Sequence, residues 1–386
     1  MLHFILGLKI LFYFSDTPAP IFEAQVIDNN ITIGYGLALG DVDGDGKPDI
    51  LLADKKQFVW YRNGDWKRFI MIENLTEHDN VCITARDING DGKVEVAVGG
   101  QWNPSETVNA EQSGSVHYLI RPDDPTQAWT AMKLHHEPTV HRMRWVRSSE
   151  GKYFLVVVPL HGRGNKGGEG EGVKVIAYEY PNIAKGKWPM TILDSSMHLT
   201  HNVEIAESVY AEKKGLYLAG KEGVRFIGDS YDKNATGKAA VLSGIERGAG
   251  EIRIGKISSV KNFIVTIEPM HGNEVVVYLN DDDSKRIVLD DNIKEGHALA
   301  TADFDGSGSN QVVAGWRSSN REGKLGIKLY TSNIDGTQWK SQWIDENGMA
   351  CEDLQVMDLN GDGKPDIVAS GRATKNLKIY WNRTGK

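Results

Sequence analysis

Short apolar runs, many of them alternating with polar residues, recur along this chain and are separated by Asp- and Gly-rich stretches. Alternation of this kind marks half-buried strands, and polar Gly-rich breaks between such runs mark hairpin turns. Four of the breaks share one nonapeptide: DVDGDGKPD (Asp41–Asp49), DINGDGKVE (Asp87–Glu95), DFDGSGSNQ (Asp303–Gln311) and DLNGDGKPD (Asp358–Asp366). Each is preceded by an alternating strand and followed by an apolar one (DILLAD, VEVAVGG, QVVAGW, DIVASG), so each reads as the turn of a hairpin.

The spacing of these turns sets the architecture. Asp41 and Asp87 are 46 residues apart and Asp303 and Asp358 are 55 apart, while the 216 residues from Asp87 to Asp303 hold four units of 54. Three degenerate hairpins fill that gap, beginning at His141, His201 and Glu251. A third strand (VHYLI, VKVIAYEY, EVVVYL, GIKLY) and often a fourth (WKRFIMIE, WTAMKLHH, WKSQWIDE) follow the hairpins. Four antiparallel strands per unit of this length make a propeller blade, and seven first strands predict an all-β, seven-bladed β-propeller. The last unit stops after its third strand. The segment IFEAQVIDNN matches the missing fourth, so an N-terminal strand is expected to complete the last blade and close the ring.

Oxygen side chains at loop positions 1, 3, 5 and 9, with glycines at 4 and 6, suit a hard cation such as Ca²⁺. The expected ligands are Asp41, Asp43, Asp45 and Asp49 in the first copy, and Asp87, Asn89, Asp91 and Glu95 in the second. Asp303, Asp305 and Ser307 serve in the third, and Asp358, Asn360, Asp362 and Asp366 in the fourth. The third copy has Ser307 and Gln311 where others carry acids, so it is the weakest. These ions are expected to be structural.

Composition narrows the function. The chain has 386 residues, 44 basic and 52 acidic, for a net charge of −8, with no basic stripe, so nucleic acid is not an expected partner. Two cysteines are too few for a disulfide framework. The apolar opening MLHFILGLKILFYF is too short to span a membrane and reads as a leader over residues 1–19, ahead of a single domain at 20–386. With the calcium loops it points to a secreted or periplasmic protein with no membrane span in the mature chain. Oligomeric state is left open.

Chemistry is expected at the other end of the first strands. Six places before the first loop position the seven units carry Tyr35, Val81, His141, His201, Gly250, His297 and Glu352. In a propeller these residues meet at the channel mouth. His141, His201 and His297 are the candidate ligands of Zn²⁺ or a related divalent metal. The ends of the second strands bring His161, His271, Lys221 and Arg372 to the same face, with Trp102 and Trp316 as candidate sugar platforms. His161, His271 or Glu352 is the candidate base, with Arg372, Lys221 or Tyr35 supporting a departing hydroxyl. HGRGNKGGEGEG (His161–Gly172) reads as a mobile loop over this face.

The Asp loops with their flanking strands resemble the FG-GAP or VCBS repeat, the calcium-binding propeller blade. A narrower likeness lies in Ala350–Asn382, Gly296–Gly306 and Thr200–Glu207, which look like the propeller domain of aldos-2-ulose dehydratase. That resemblance implies a catalytic zinc in the propeller and elimination of water from a sugar. The enzyme's cupin and lectin-like domains have no counterpart here, which puts any second, isomerising step in doubt. The expectation is therefore a metal-dependent carbohydrate lyase acting on a keto-sugar or related glycan by β-elimination. Two rivals stand beside it: a non-catalytic calcium-stabilised propeller that binds glycan or protein, and a metal-independent polysaccharide lyase in which Arg372 neutralises a uronate.

Overall fold

The computed structural model describes residues 18–181, 185–206, 214–231, 240–241, 245, 247–279 and 282–385. The expected leader lies almost wholly outside them. Within them stand seven four-stranded antiparallel sheets. Their innermost strands are Gly36–Gly40, Cys82–Arg86, Val140–Arg147, Thr200–Ala206, Glu251–Lys256, Gly296–Ala302 and Cys351–Met357, in blades 1 to 7. Each innermost strand packs against the next, and the seventh returns to the first, so the ring is closed.

Closure follows the expected route. Phe22–Asp28 pairs with Asn376–Asn382, from Phe22 opposite Asn382 to Asp28 opposite Leu377, as the outer strand of blade 7. This pairing covers the edge that blade 7 would otherwise present to other chains.

The second strands are buried on both faces and read as continuous apolar runs, as in Asp49–Ala53 and Tyr153–Pro159. Their side chains fill the wedges between neighbouring sheets, where Trp60, Trp145 and Trp316 are among the largest fully buried groups.

Four innermost strands share a defect in register. The pairing skips one residue between Val140 and Arg142, between Thr200 and Asn202, between Gly296 and Ala298, and between Cys351 and Asp353. The skipped residues are His141, His201, His297 and Glu352. A bulged residue leaves the ladder and its side chain is re-aimed. Blades 1, 2 and 5 pair without a skip here, and they carry no such residue at this register.

Candidate metal centre at the channel mouth

The bulges deliver their side chains to one place. Ring centroids of His201 lie 4.7 Å from His141, 4.4 Å from His271 and 5.1 Å from His297, and His271 lies 5.0 Å from His297. The outer nitrogens are fixed by a repeating rule. His141 Nδ1 donates to the His201 carbonyl at 3.0 Å, His201 Nδ1 to the Gly250 carbonyl at 2.6 Å, and His297 Nδ1 to the Glu352 carbonyl at 2.6 Å. Each acceptor is the residue at the same register in the next blade. With the proton on Nδ1, the Nε2 lone pair points inward, the tautomer that metal-binding imidazoles adopt.

Three of these rings converge. His201, His271 and His297 place ligand atoms all within 4.8 Å of one another, two rings buried and His271 exposed. The Nε2 atoms of His201 and His271 face each other at 2.5 Å, within hydrogen-bond distance. Burial holds His297 and His141 well below the usual imidazole range, with nearby arginines adding to the effect. His271 keeps one edge in solvent, yet the protein packed around its ring, then the charges of His201 and Arg317, lower it to about 3. Neutral imidazoles of this kind are of the type that would hold Zn²⁺ or a related divalent cation.

The membership differs from the expected trio. His141 lies beside the cluster, stacked on Trp102 at 5.1 Å, and its Nε2 receives Arg142 at 3.2 Å. His271, expected as a base, takes its place. The reason lies in blade 5, which has Gly250 at the rim. A Cβ there would stand 2.9 Å from the His271 backbone nitrogen, so the glycine lets the turn after the second strand move in.

Other expected site residues land as follows. Glu352 is 2% exposed and gripped by Arg372 at 2.9 Å and Arg317 at 3.1 Å, so it is no free base. Arg317 also approaches His271 Nδ1 at 3.5 Å. Sequence reasoning passed over it for its neighbour Trp316, although both end the same strand. Trp316 is fully buried against Trp343, so it offers no sugar platform; its ring turns into the wedge between blades. Trp102 is half-buried, with one face on His141. Lys221 reaches the Gly167 carbonyl at 2.7 Å, which ties it to a loop. That loop is itself anchored. Asn165 is buried and donates to the His198 carbonyl, Gly164 bonds Thr107, and Arg163 pairs with Glu137 at 2.9 Å.

His161 is half-buried with no hydrogen-bond partner for Nδ1, and burial lowers its pKa. Its backbone bridges to Leu199, two residues before His201. Tyr35 donates to Asp79 at 3.1 Å beneath the Arg372 guanidinium, 5.3 Å from its ring. Burial, then the Asp79 charge, raises it to about 12. Asp79 was not anticipated, because it lies in an irregular segment between blades.

At the opposite face the Asp loops wind alike. Asp41, Asp87 and Asp358 each accept the two loop-glycine N–H groups, and Asp303 accepts that of Gly308. Asp41, Asp43 and Asp45 bring three carboxylates within 4.8 Å. Position 9 has a task inside the loop that the ligand pattern did not include. Asp49, Glu95 and Asp366 are buried and accept the N–H of Val42, Ile88 and Leu359 at 2.8, 3.0 and 3.0 Å. Gln311 does the same for Phe304 at 2.7 Å, so this position caps the turn with or without charge.

Comparison with known proteins agrees with the fold. An FG-GAP-like repeat model matches residues 27–98 and 303–369, and a model of the aldos-2-ulose dehydratase beta-propeller domain matches 113–281. The molecule is thus a seven-bladed β-propeller in which stretches of blades 1, 2, 6 and 7 are similar to FG-GAP-like repeats. Aldos-2-ulose dehydratase of Phanerodontia chrysosporium is 25% identical over 317 residues, covering 73% of this chain and 33% of that enzyme. The chain therefore spans about a third of its curated relative's length. Among solved structures, BBS1N in complex with ARL6DN is similar with a TM-score of 0.55 and 12% identity, covering 95% of this chain and 98% of the other. A chain of the mitotic checkpoint complex gives 0.57 at 10% identity, covering 97% and 98%. Those two likenesses concern the fold alone.

Proposed function

We propose that this chain is a metal-dependent carbohydrate lyase of the dehydratase type, with His201, His271 and His297 holding zinc or a similar divalent cation at the channel mouth. The observation that carries the reading is the convergence of three imidazoles from three blades, two of them fixed as Nδ1–H tautomers by backbone carbonyls. The distant likeness to aldos-2-ulose dehydratase supports a carbohydrate-related lyase. When bound, the cation supplies Lewis acidity toward a sugar carbonyl, which makes the adjacent C–H acidic.

His161 then takes that proton. Of the three expected bases it is the one with a ring nitrogen, Nδ1, left without a partner, since His271 belongs to the cluster and Glu352 is held by two arginines. Its depressed pKa keeps it neutral at pH 7, as a base must be. Arg372 and Tyr35 support the departing hydroxyl, which leaves as water on taking a proton from solvent at the open mouth, and Glu352 positions Arg317 and Arg372. Calcium in the Asp loops is a structural element of the same reading, and export fits those loops.

Metal analysis of purified protein, beside water elimination from a 2-keto-sugar followed by ultraviolet absorbance, tests it. One zinc-class ion beyond calcium is expected. His201→Ala/His297→Ala protein should lose that ion and more than about 100-fold of turnover, since even outer-shell changes cost 10–100-fold. Wild-type protein holding calcium alone and turning over no sugar would defeat the assignment and favour a non-catalytic binding propeller, while turnover intact in the double variant would defeat it in favour of a metal-independent lyase.

A further inference from the structure

One residue deeper than the rim, the innermost strands of blades 3, 4 and 5 carry Arg142, Asn202 and Glu251, all buried. Arg142 donates to the inner nitrogen of His141, so this tier already governs one rim imidazole. Glu251 stands against the next. It is 1% exposed, and its two oxygens are employed unequally. Oε2 accepts from the Asn202 amide and faces the Arg253 guanidinium at 3.6 Å, while the Asn202 carbonyl oxygen accepts from Arg253 at 3.2 Å. Oε1 is buried without a hydrogen-bond partner among the described residues, and His201 Nδ1 stands 3.4 Å from it.

A pairing with Arg253 alone does not account for this placement. That pairing engages one oxygen and leaves the other in a dry site, where an unsatisfied acceptor is costly. The unused oxygen is the one beside the histidine. The N–H of His201 Nδ1 thus meets two acceptors, the Gly250 carbonyl at 2.6 Å and the Glu251 carboxylate. The reverse tautomer would set a ring lone pair against both, so the proton is held on Nδ1 and the Nε2 lone pair is kept inward. His201 is also the hub of the cluster, its ring centroid 4.4–5.1 Å from those of His141, His271 and His297. Three neutral imidazoles bring no negative charge to a divalent cation. A carboxylate behind a ligating histidine supplies it and raises the basicity of the ring.

We infer that Glu251 is a positioning residue of the channel mouth: its carboxylate fixes the tautomer of His201 and supplies the counter-charge for a cation held there. The inference rests on the reading of His201, His271 and His297 as a metal centre.

Zinc titration of the full chain, kept in calcium and stripped of mouth metal, tests it beside NMR of the histidine ring nitrogens. Glu251→Gln, nearly the same shape without the charge, should bind zinc about 10–100-fold more weakly than wild type. In the metal-free state wild-type His201 should carry its proton on Nδ1. The glutamine variant, whose amide can donate to that nitrogen, should gain the Nε2–H form. A merely structural carboxylate would leave the ring spectrum unmoved. Glu251→Asp keeps the charge but withdraws it by one methylene, so it should lose zinc affinity by a smaller factor, and it serves if the glutamine variant does not fold. Wild type that binds no zinc would defeat the metal centre and this inference with it. Wild type that binds zinc would overturn this inference alone if the variants bind it equally, if the substitution leaves the His201 spectrum unmoved, or if wild-type His201 is already Nε2–H when metal-free.

Discussion

The two ends of the innermost strands use the same scaffold in opposite ways. At the Asp-loop end each site is written within nine consecutive residues, and its geometry is fixed by bonds between neighbours, such as Asp41 with the Gly44 and Gly46 N–H groups. At the channel mouth no single blade holds a site. His201, His271 and His297 come from blades 4, 5 and 6 and meet because bulges or a glycine-permitted turn aim them at the axis. A local site survives the loss of its neighbours. A convergent site depends on backbone placement in several blades.

That contrast can be broken most sharply at Gly250. Gly250→Ala adds a Cβ 2.9 Å from the His271 nitrogen and 3.3 Å from Met270 Cα, so the His271 turn must retreat. Affinity for the mouth metal should fall by about 10–100-fold while calcium content is unchanged, as parallel zinc and calcium titrations would show. Equal losses at both ends would mean that the blades are not independent.

A buried imidazole that belongs to neither end separates simple desolvation from clustering. His117 is 6% exposed with an unpaired Nδ1, and burial lowers it to about 4. Its folded pKa lies below the unfolded value near 6.5, so the unfolded chain binds the proton more readily. Stability should therefore be full above pH 6.5 and decline as pH falls toward 4, by about 3 kcal/mol. His117→Gln should flatten that decline in urea unfolding measured across this pH window. An unchanged slope would place the acid sensitivity in the mouth histidines.

The smallest test concerns the turn caps. Glu95→Ala leaves the buried Ile88 N–H without its acceptor and should cost about 1–3 kcal/mol in denaturant unfolding. Glu95→Gln should retain most of that stability, because Gln311 performs the same task for Phe304 in blade 6. A full loss in Glu95→Gln would show that the charge itself is required, as a ligand.

The blade count and the ring closure were legible because the Asp nonapeptide and the IFEAQVIDNN strand repeat a pattern at fixed register. The mouth was legible only in part. Register alone identified His141, His201, His297 and Glu352 as one group, and the bulges explain why they converge. Register could not report that Arg142 caps the inner nitrogen of His141, nor that an empty glycine position would be filled by His271. Trp316 failed as a platform because aromatic character says nothing of which side of a twisted strand end it faces. Arg317, one residue on, reaches Glu352.

The strand Phe22–Asp28 has a temporal consequence. Its partner, Asn376–Asn382, is made roughly 350 residues later during synthesis. The earliest-formed strand of the disc must therefore wait, unpaired, until Asn376–Asn382 has left the ribosome. Blades 1 to 6 can assemble in order as they emerge, yet the circle itself becomes continuous in a single late event.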